Sequence, residues 1–298
     1  MSFCNYTFSW GDYIAQVWDL WYVDPNGKLF VADLGIEKKR KNNKTYKTKS
    51  AIAVSHVALC PNKKLIWLEG IRVHPNYRRS KVATQLIRKM LLYGKKQGAK
   101  EASAIIAVNN IASQHMINKN GFEVVSKWAY YEVTRKIDHM RMGRRMTVKI
   151  ASLKDIDEIW SYLINSKVYR LSGRRYVNAW RWYCLDYTSL ERFIEEKRLV
   201  ITYDSLVAGV AIINKNDYWN RDNILQVCYL DSPSEIALQN LIYFVMLCYM
   251  IPNKKSPYRS KRFNRLEILA YHTKRLSCVM KKFSIEESEQ FLLYTRNI

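Results

Sequence analysis

The stretch from Trp67 to Thr84 constrains the fold of this chain more than any other segment. It begins with an apolar strand pattern, continues through a turn marked by Pro75 and a basic loop, and ends in the start of a helix. The first N–H groups of a helix lack partners within the helix and carry the positive end of its dipole. A basic loop that leads into a helix is therefore predicted to bind an anion.

The first half of the chain has a mixed pattern of helices and strands. Apolar spacing predicts helices over 10–22, from Val82 to the turn before Gly98, and over 111–120. Strands are predicted over 28–34, 51–59, 65–73 and 102–108, with a hairpin or pair of strands over 122–134. This order predicts an antiparallel meander that is followed by a helix and a buried strand.

The second half repeats this order of elements. A strand hairpin is predicted over 199–214, and the elements after it are a strand over 224–230, a helix over 232–249, a strand over 266–270, a helix over 273–282 and a closing pair of strands. The charged stretch 136–145 has no clear period and is interpreted as the interdomain linker. The pattern predicts two copies of one α/β unit, with the coincidence of two ordinary α+β halves as the alternative.

The composition limits the class of protein and its partners. The net charge of +23 favours anionic partners such as coenzyme A, acidic proteins, nucleic acid or acidic lipid surfaces. The basic run 38–49 is interpreted as an exposed, solvated hairpin loop or as a functional basic arm. Six scattered cysteines lack metal-ligand spacing, so we expect reduced thiols and no metal site. We also expect no membrane insertion and a cytoplasmic location, because there is no long apolar run and no signal-peptide pattern.

Three features of the first half resemble the GNAT acyltransferase superfamily. Segment 73–83 is similar to the pyrophosphate loop of that family, Arg/Gln-x-x-Gly-x-Gly/Ala, and Arg78 and Ala83 match the two ends. Segments 109–112 and 119–122 resemble its Asn-x-x-Ala and Lys-x-Gly-Phe motifs, and the element order between the motifs agrees. Segments 67–75 and 179–182 are also similar to a branch that includes histidine N-acetyltransferases.

The resemblance implies a fold and a division into domains. The expected class is α/β (α+β), with a mixed, mostly antiparallel, twisted sheet that is flanked by helices. The fold would occur twice, as an active GNAT domain over 1–138 and a degenerate GNAT-like domain over 139–298. The counterpart of the basic loop in the second half, 230–235, is short and acidic and would repel phosphate.

The resemblance also implies that acetyl-CoA binds the first domain as co-substrate. Backbone groups on the strand would pair with the pantetheine arm, from Ile71, Arg72 and Val73. Backbone amides of the loop and helix start would hold the pyrophosphate, from Arg79, Ser80, Lys81, Val82, Ala83 and Thr84. The side chains of Arg78, Arg79 and Lys81 would add positive charge, and Asn109 would hold the end of the next strand and the pantetheine.

Two positions depart from the family pattern. Lys81 occupies a position that is usually glycine, which allows the backbone to approach phosphate closely. Lysine can replace glycine there only with an ordinary φ, so we expect a slightly altered loop that still binds. Ile117 stands where many members have a tyrosine that protonates the departing thiolate, so another acid, water or none would serve.

The implied chemistry is acyl transfer from a thioester to an amine that must first lose a proton. Glu69 is the preferred base, because it lies two residues before Ile71 and would share a strand face with it. The alternatives are that Glu69 is a structural carboxylate or that His74 or His56 is the base. A backbone N–H such as that of Val73 would stabilise the oxyanion.

The acceptor cannot be read from the sequence, because specificity depends on variable loops. Candidate lining residues, all aromatic, are Tyr130, Tyr131, Tyr176, Trp180, Trp182 and Tyr183, and ordinary packing is the alternative for each. Three hypotheses remain: an N-acetyltransferase acting on a small amine or amino acid, a protein (Lys or N-terminal) acetyltransferase, and a non-catalytic protein that binds coenzyme A or nucleic acid.

Overall fold

A computed structural model describes residues 2–4, 12–41, 44–60, 64–134, 146–215, 223–249 and 263–298, with the backbone alone for residues 2, 36–49 and 215. Its α-helices are α1 (Ile14–Val23), α2 (Val82–Lys96), α3 (Ile111–Lys119), α4 (Ile156–Asn165), α5 (Lys167–Leu171), α6 (Tyr187–Glu195), α7 (Glu235–Tyr249) and α8 (Lys274–Lys282). Its strands are β1 (Gly27–Lys41), β2 (Lys44–Leu59), β3 (Leu65–Val73), β4 (Glu101–Ala107), β5 (Glu123–Val133), β6 (Thr147–Ile150), β7 (Arg175–Asn178), β8 (Arg181–Cys184), β9 (Leu199–Asp204), β10 (Leu206–Lys215), β11 (Ile224–Asp231), β12 (Arg265–Tyr271) and β13 (Glu287–Asn297).

The chain divides into two compact units. The first unit comprises Met1–Ile106, Asn110–Glu123 and Tyr294–Ile298, and the second comprises Ala107–Asn109 and Val124–Leu293. The interdomain linker predicted at 136–145 lies outside the described residues. The domain boundary at 138/139 therefore stays a prediction.

The first unit contains an antiparallel meander, β1–β2–β3, and then β4, which runs parallel to β3. Neighbouring parallel strands need a crossover connection, and α2 supplies it. The apolar stripe of α2, which includes Leu86, Ile87 and Met90, is buried, and the helix packs on β2 and β3. This crossover places the start of α2 directly after the carboxyl end of β3 and the short loop 74–81.

The second unit contains a sheet in the order β5–β12–β11–β10–β9–β6, with β13 beside β5. Strands β11 and β12 are parallel, and α7 connects them as α2 connects β3 and β4. The pairs β5–β12, β10–β11, β9–β10 and β6–β9 are antiparallel, and β7 and β8 form a separate antiparallel hairpin. The predicted fold class is thus confirmed: mostly antiparallel strands flanked by helices, with the same crossover in both halves.

Two predictions about closing strands were wrong. The pair predicted over 122–134 is the single strand β5, and the pair predicted after residue 283 is the single strand β13. Neither strand contains the glycine or proline residues that favour a tight turn, so each stays extended throughout its length.

The basic run 38–49 does not form a loop over most of its backbone. Strands β1 and β2 are paired from Lys38↔Lys47 to Lys41↔Lys44. The side chains of this run, and residues 42 and 43 entirely, lie outside the described residues. A functional role for this basic arm stays a prediction.

The helices also bear on membrane association. Among the residues that the structure describes, every helix is too short or too polar to cross a bilayer.

Candidate active site

The parallel strands β3 and β4 pair over only part of their length. Their register runs from Leu65↔Glu101 to Trp67↔Ser103, whereas β3 continues to Val73. Within the described residues, the last six residues of β3 therefore have no register partner on β4. The carboxyl ends of parallel strands at such a separation are a common place for ligands in α/β folds.

The register with β2 shows which backbone groups of β3 face this separation. The N–H of His74 donates to the carbonyl of Ile52 at 2.8 Å, and Ala53 lies opposite Val73. In an antiparallel ladder this makes Ala53↔Val73 a non-hydrogen-bonded pair, so the N–H and C=O of Val73 point away from β2. The backbone of Val73 therefore faces away from β2, and its contact with a ligand stays a prediction.

The side chain and backbone of Arg72 are both committed within the first unit. The pair Val54↔Arg72 is the hydrogen-bonded one of the ladder, and the guanidinium donates to Asp12 at 2.7 and 3.2 Å. The same group lies 5.3 Å from the centre of the Tyr13 ring. This geometry argues against the predicted contact of Arg72 with the cofactor and favours Ile71 and Val73.

A bulge interrupts β3 between Glu69 and Ile71. The register passes from Val54↔Arg72 to His56↔Glu69, so β3 has one residue more than β2 at this point. Gly70 has φ +63, and a Cβ atom there would lie 2.3 Å from the ring of Trp21. Because a bulge breaks strict alternation, the argument that Glu69 and Ile71 share a face was wrong, although both residues lie at the point where the strand bends.

Loop 74–81 joins β3 to α2 and presents its charged side chains to solvent. A 3₁₀ turn spans Pro75–Tyr77, and Nδ1 of His74 accepts from the N–H of Asn76 at 3.2 Å. Nε of Arg78 donates back to the carbonyl of Val73 at 3.4 Å. His74 thus caps this turn, which supports the structural interpretation over a role as base.

The backbone of Lys81 was predicted incorrectly. Lys81 has φ 64 and ψ 10, the left-handed conformation that glycine adopts without penalty, and Arg79 has φ 65. The expectation of an ordinary φ is therefore wrong: the loop keeps a glycine-like path at the expense of backbone strain. Strained residues of this kind concentrate at functional sites.

The start of α2 has unsatisfied donors. Lys81 is its N-cap residue and makes no side-chain capping bond, and the first turn, which holds Val82, Ala83 and Thr84, contains no acidic residue. Arg78, Arg79, Ser80 and Lys81 are exposed. Free helix N–H groups beside exposed cations are suited to a phosphate group.

Glu69 and His56, the two alternative bases, lie together. Nδ1 of His56 is 2.8 Å from Oε1 of Glu69, and His56 is fully buried, whereas 11% of the Glu69 side chain is exposed. Burial raises the pKa of the nearby Tyr13 to about 12; Arg72 opposes this shift and the Glu69 carboxylate adds to it. Tyr13 is thus a protonated hydroxyl in the electrostatic surroundings of Glu69, and the sequence indicated it only as an apolar helix position.

Two further positions named in the sequence analysis, Ile117 and Asn109, lie outside the strand and loop described above. Ile117 is 1% exposed and packs in the core of the first unit, so no hydroxyl replaces the family tyrosine there. Asn109 belongs to the second unit, where its side chain donates to Glu289 and lowers the pKa of that carboxyl, which burial raises. Asn110, not Asn109, caps α3 by accepting from the N–H of Ser113 at 3.1 Å.

The corresponding separation in the second unit is filled. Strands β11 and β12 pair only as far as Val227↔Ile268, and the cavity of about 10 Å³ near their ends has room for about one water molecule. Asp231 in its wall is 2% exposed and accepts from Ser166 at 2.5 Å and Tyr229 at 3.0 Å. A buried carboxylate in this position supports the interpretation that the second copy does not hold a nucleotide cofactor.

The aromatic residues predicted for the acceptor pocket lie in the second unit and pack against different neighbours. Tyr130 packs on Trp180 with ring centres 5.2 Å apart, and Trp180 also packs on Phe291 at 5.4 Å. Tyr176 packs on Tyr183, and Trp182 is fully buried against Trp128. Tyr131 donates to Glu287 at 2.9 Å. Trp182 is thus a core residue, and an acceptor role for the other aromatic residues stays a prediction.

Comparison with known proteins identifies the first half. Residues 2–122 match the family model described as Acetyltransferase (GNAT) family. This part of the chain is similar to the GNAT family. It contains both the separated strands and the uncapped helix start.

Curated relatives match part of the GNAT segment. An aminoglycoside N(6')-acetyltransferase type 1 from Acinetobacter haemolyticus is 39% identical over 72 residues, which cover 24% of this chain and 48% of that protein. The chain spans about half the length of the curated relatives it matches.

Two solved structures share the fold over most of the chain. A GCN5-related N-acetyltransferase from Sphaerobacter thermophilus has a TM-score of 0.52 at 12% identity, covering 83% of this chain and 77% of that one. A fungal glucosamine N-acetyltransferase region has a TM-score of 0.55 at 10% identity, covering 94% of this chain and 34% of that one. At these identities the likeness concerns the fold alone. The resemblance to the histidine N-acetyltransferase branch stays a prediction.

Proposed function

We propose that this protein transfers the acetyl group of acetyl-CoA to a primary amine of a small molecule. The observation that carries the proposal is the pairing of an outward-facing Val73 backbone with an uncapped helix start one short loop later. The first suits an amide-rich arm and the second suits a pyrophosphate. A nucleotide cofactor with both parts fits these groups.

The residues that would hold acetyl-CoA have separate tasks. Ile71 and Val73 would bind the pantetheine amides, and backbone N–H groups from Arg79 to Thr84 would bind the pyrophosphate. The exposed side chains of Arg78, Arg79 and Lys81 would attract the phosphates. Asn109 stays a candidate for the pantetheine. When bound, acetyl-CoA would supply the activated acetyl group.

Glu69 would take the proton of the acceptor amine. An ammonium group has no free electron pair, so the amine must be deprotonated before it can react. Glu69 lies at the bulge of β3 with part of its side chain exposed, and an N–H of His56 faces one of its oxygens. The Tyr13 hydroxyl keeps its proton at neutral pH and is a candidate proton donor that replaces the missing tyrosine at Ile117.

The class of acceptor is inferred from the curated relatives and not from the geometry of the cofactor site. The curated relatives named above are aminoglycoside acetyltransferases, which supports a small polyamine-like or amino-sugar acceptor. We include aminoglycosides beside histidine, which the branch resemblance suggests.

The test is release of free coenzyme A from acetyl-CoA with a panel of amines: an aminoglycoside, histidine, a polyamine and a lysine peptide. We expect turnover with at least one small amine and little with the peptide. Preference for the peptide would favour the protein acetyltransferase hypothesis. No turnover with any amine, together with no acetyl-CoA binding by calorimetry, would overturn the proposal.

A pair of arginine variants tests the cofactor site separately from the chemistry. Arg79→Ala removes a charge from the proposed phosphate loop, and Arg88→Ala removes an equally exposed charge from the outer face of α2. We expect the dissociation constant for acetyl-CoA to rise about 2–5-fold in the first variant and to stay unchanged in the second. Equal effects of the two substitutions would show that general charge, not this loop, attracts the cofactor.

A further inference from the structure

His56 is the most constrained polar side chain of the first unit. It has no exposed surface, and its ring is stacked on the indole of Trp21 with ring centres 4.7 Å apart and an angle of 3° between the planes. On one side Nδ1 is 2.8 Å from Oε1 of Glu69, and on the other Nε2 is 3.9 Å from Oδ2 of Asp24. An imidazole thus lies in a row between two carboxylates.

The backbone nearby is shaped to accommodate this ring. A Cβ atom at Gly27 would lie 2.4 Å from Nε2 of His56 and 2.8 Å from Oδ2 of Asp24. Gly70, at the bulge beside Glu69, likewise leaves room for the indole of Trp21 that stacks on His56. Two glycines on different strands therefore make space for one histidine and its stacking partner.

The hydrogen bond between His56 and Glu69 indicates which ring nitrogen carries the proton. A carboxylate can only accept, so Nδ1–H donates to Glu69. Nε2 is buried and has no hydrogen-bond partner among the described residues. A buried polar atom without a partner costs free energy and is usually explained by function. Asp24, whose Oδ2 lies 3.9 Å from Nε2, accepts a hydrogen bond from the N–H of Asn26 at 2.8 Å, so the row is fixed at that end also.

We propose that His56 is a positioning residue that fixes the carboxylate of Glu69 for proton transfer. The proposal rests on the proposed acetyl transfer with Glu69 as base. His56 is too deeply buried to reach an acceptor, so it acts through Glu69. Trp21, Asp24 and Gly27 hold the ring in turn, which makes the base part of a preorganised row instead of a mobile side chain.

The first experiment compares His56→Leu with His56→Asn. Leucine has no donor, whereas the asparagine amide places an N–H near the position of Nδ1. We expect His56→Leu to lower kcat about 10–100-fold with less than about a 2-fold change in KM for acetyl-CoA, and His56→Asn to restore most of kcat. Loss of only thermal stability, with kcat unchanged in both variants, would overturn the proposal.

The second experiment uses Gly27→Ala, which leaves Glu69 untouched. The added methyl group would collide with the imidazole, so we expect kcat to fall toward the value of His56→Leu. In the His56→Asn background the shorter side chain leaves space, and the same substitution should cost less than about 3-fold. Additive effects of Gly27→Ala and His56→Asn would show that Gly27 acts independently of the ring.

The third experiment needs no cofactor or turnover. In the protein without acetyl-CoA, NMR should detect a slowly exchanging imidazole proton on Nδ1 of His56, at a downfield position that moves upfield in Glu69→Gln. A protected proton on Nε2 only would overturn the proposed orientation. The measurements separate two failures: an inactive wild type would refute the proposed function, whereas an active wild type with unaffected His56 variants would refute the positioning role.

Discussion

Replacing Lys81 with glycine tests whether the left-handed backbone conformation at this position destabilises the loop before α2. Lys81 has φ 64, and an L-residue in this region costs roughly 1–2 kcal/mol relative to ordinary backbone. Glycine removes that cost but adds about 0.5–1 kcal/mol of conformational entropy to the unfolded chain. The net expectation is a gain of about 0.5–1 kcal/mol in the free energy of unfolding.

Lys81→Ala is the matched control for this change. Alanine also removes the ammonium group but keeps a Cβ atom, so the strain remains and stability should change by less than about 0.5 kcal/mol. Thermal unfolding followed by circular dichroism should show Lys81→Gly melting roughly 1–4 °C above Lys81→Ala. Both variants should bind acetyl-CoA about 2–5-fold more weakly at low salt, because both lose one exposed charge.

Comparing the two variants separates the effect of the loop's backbone conformation from the effect of the lost lysine charge. If Lys81→Gly binds acetyl-CoA much more tightly than Lys81→Ala, glycine gives the loop a backbone conformation that binds the cofactor better, in addition to making the protein more stable. If the two variants unfold at the same temperature, the left-handed conformation of Lys81 is not a source of strain, and the reasoning from φ is refuted.

Three further predictions concern other sites. Glu69→Gln should lower kcat/KM about 10²-fold or more, and an unchanged kcat/KM would exclude Glu69 as the base. Ala179→Gly should raise the free energy of unfolding by about 0.5–1 kcal/mol in a thermal melt, because Ala179 and Trp180 have φ 52 and 65 in the turn between β7 and β8, and no gain would contradict that reasoning. Burial opposes ionisation of Asp155, but hydrogen bonds from Lys149, Ser152 and Tyr203 hold its pKa well below the usual range; because the folded pKa lies below the unfolded one, this stabilisation is present above about pH 4 and is lost as pH falls below it. Asp155→Ala should therefore cost about 1–2 kcal/mol at pH 7 and much less near pH 2 in urea unfolding, and an equal cost at both values would contradict the prediction.

The sequence predicted the parts of the fold that depend on local pattern. The length of β3 and the position of α2 follow from periodicity, and both are present. The single strand β5 was mistaken for a pair because strand length is set by pairing partners elsewhere in the chain.

The candidate site was predictable only in outline. Glu69 was chosen from its position on the strand, and its role as base stays a prediction. Its contact with His56 depends on the bulge at Gly70, which a linear pattern does not reveal. Tyr13 and Asp12 reach Arg72 across 60 residues of sequence, a contact that no spacing rule could supply. The left-handed Lys81 was missed because lysine in that conformation contradicts residue preference, and such contradictions are expected where function opposes local stability.

The two crossovers of this chain differ in the chemistry at the carboxyl ends of their strands. In both, a helix joins two parallel strands that separate toward their carboxyl ends. In the first, the helix starts with uncapped N–H groups and exposed cations. In the second, the strand ends in Asp231, whose carboxylate is buried and bonded to Ser166 and Tyr229. A phosphate entering there would meet carboxyl oxygens that already accept hydrogen bonds instead of free donors. The crossover helps to build the core in both units, whereas the predicted anion binding depends on the few residues at its carboxyl edge.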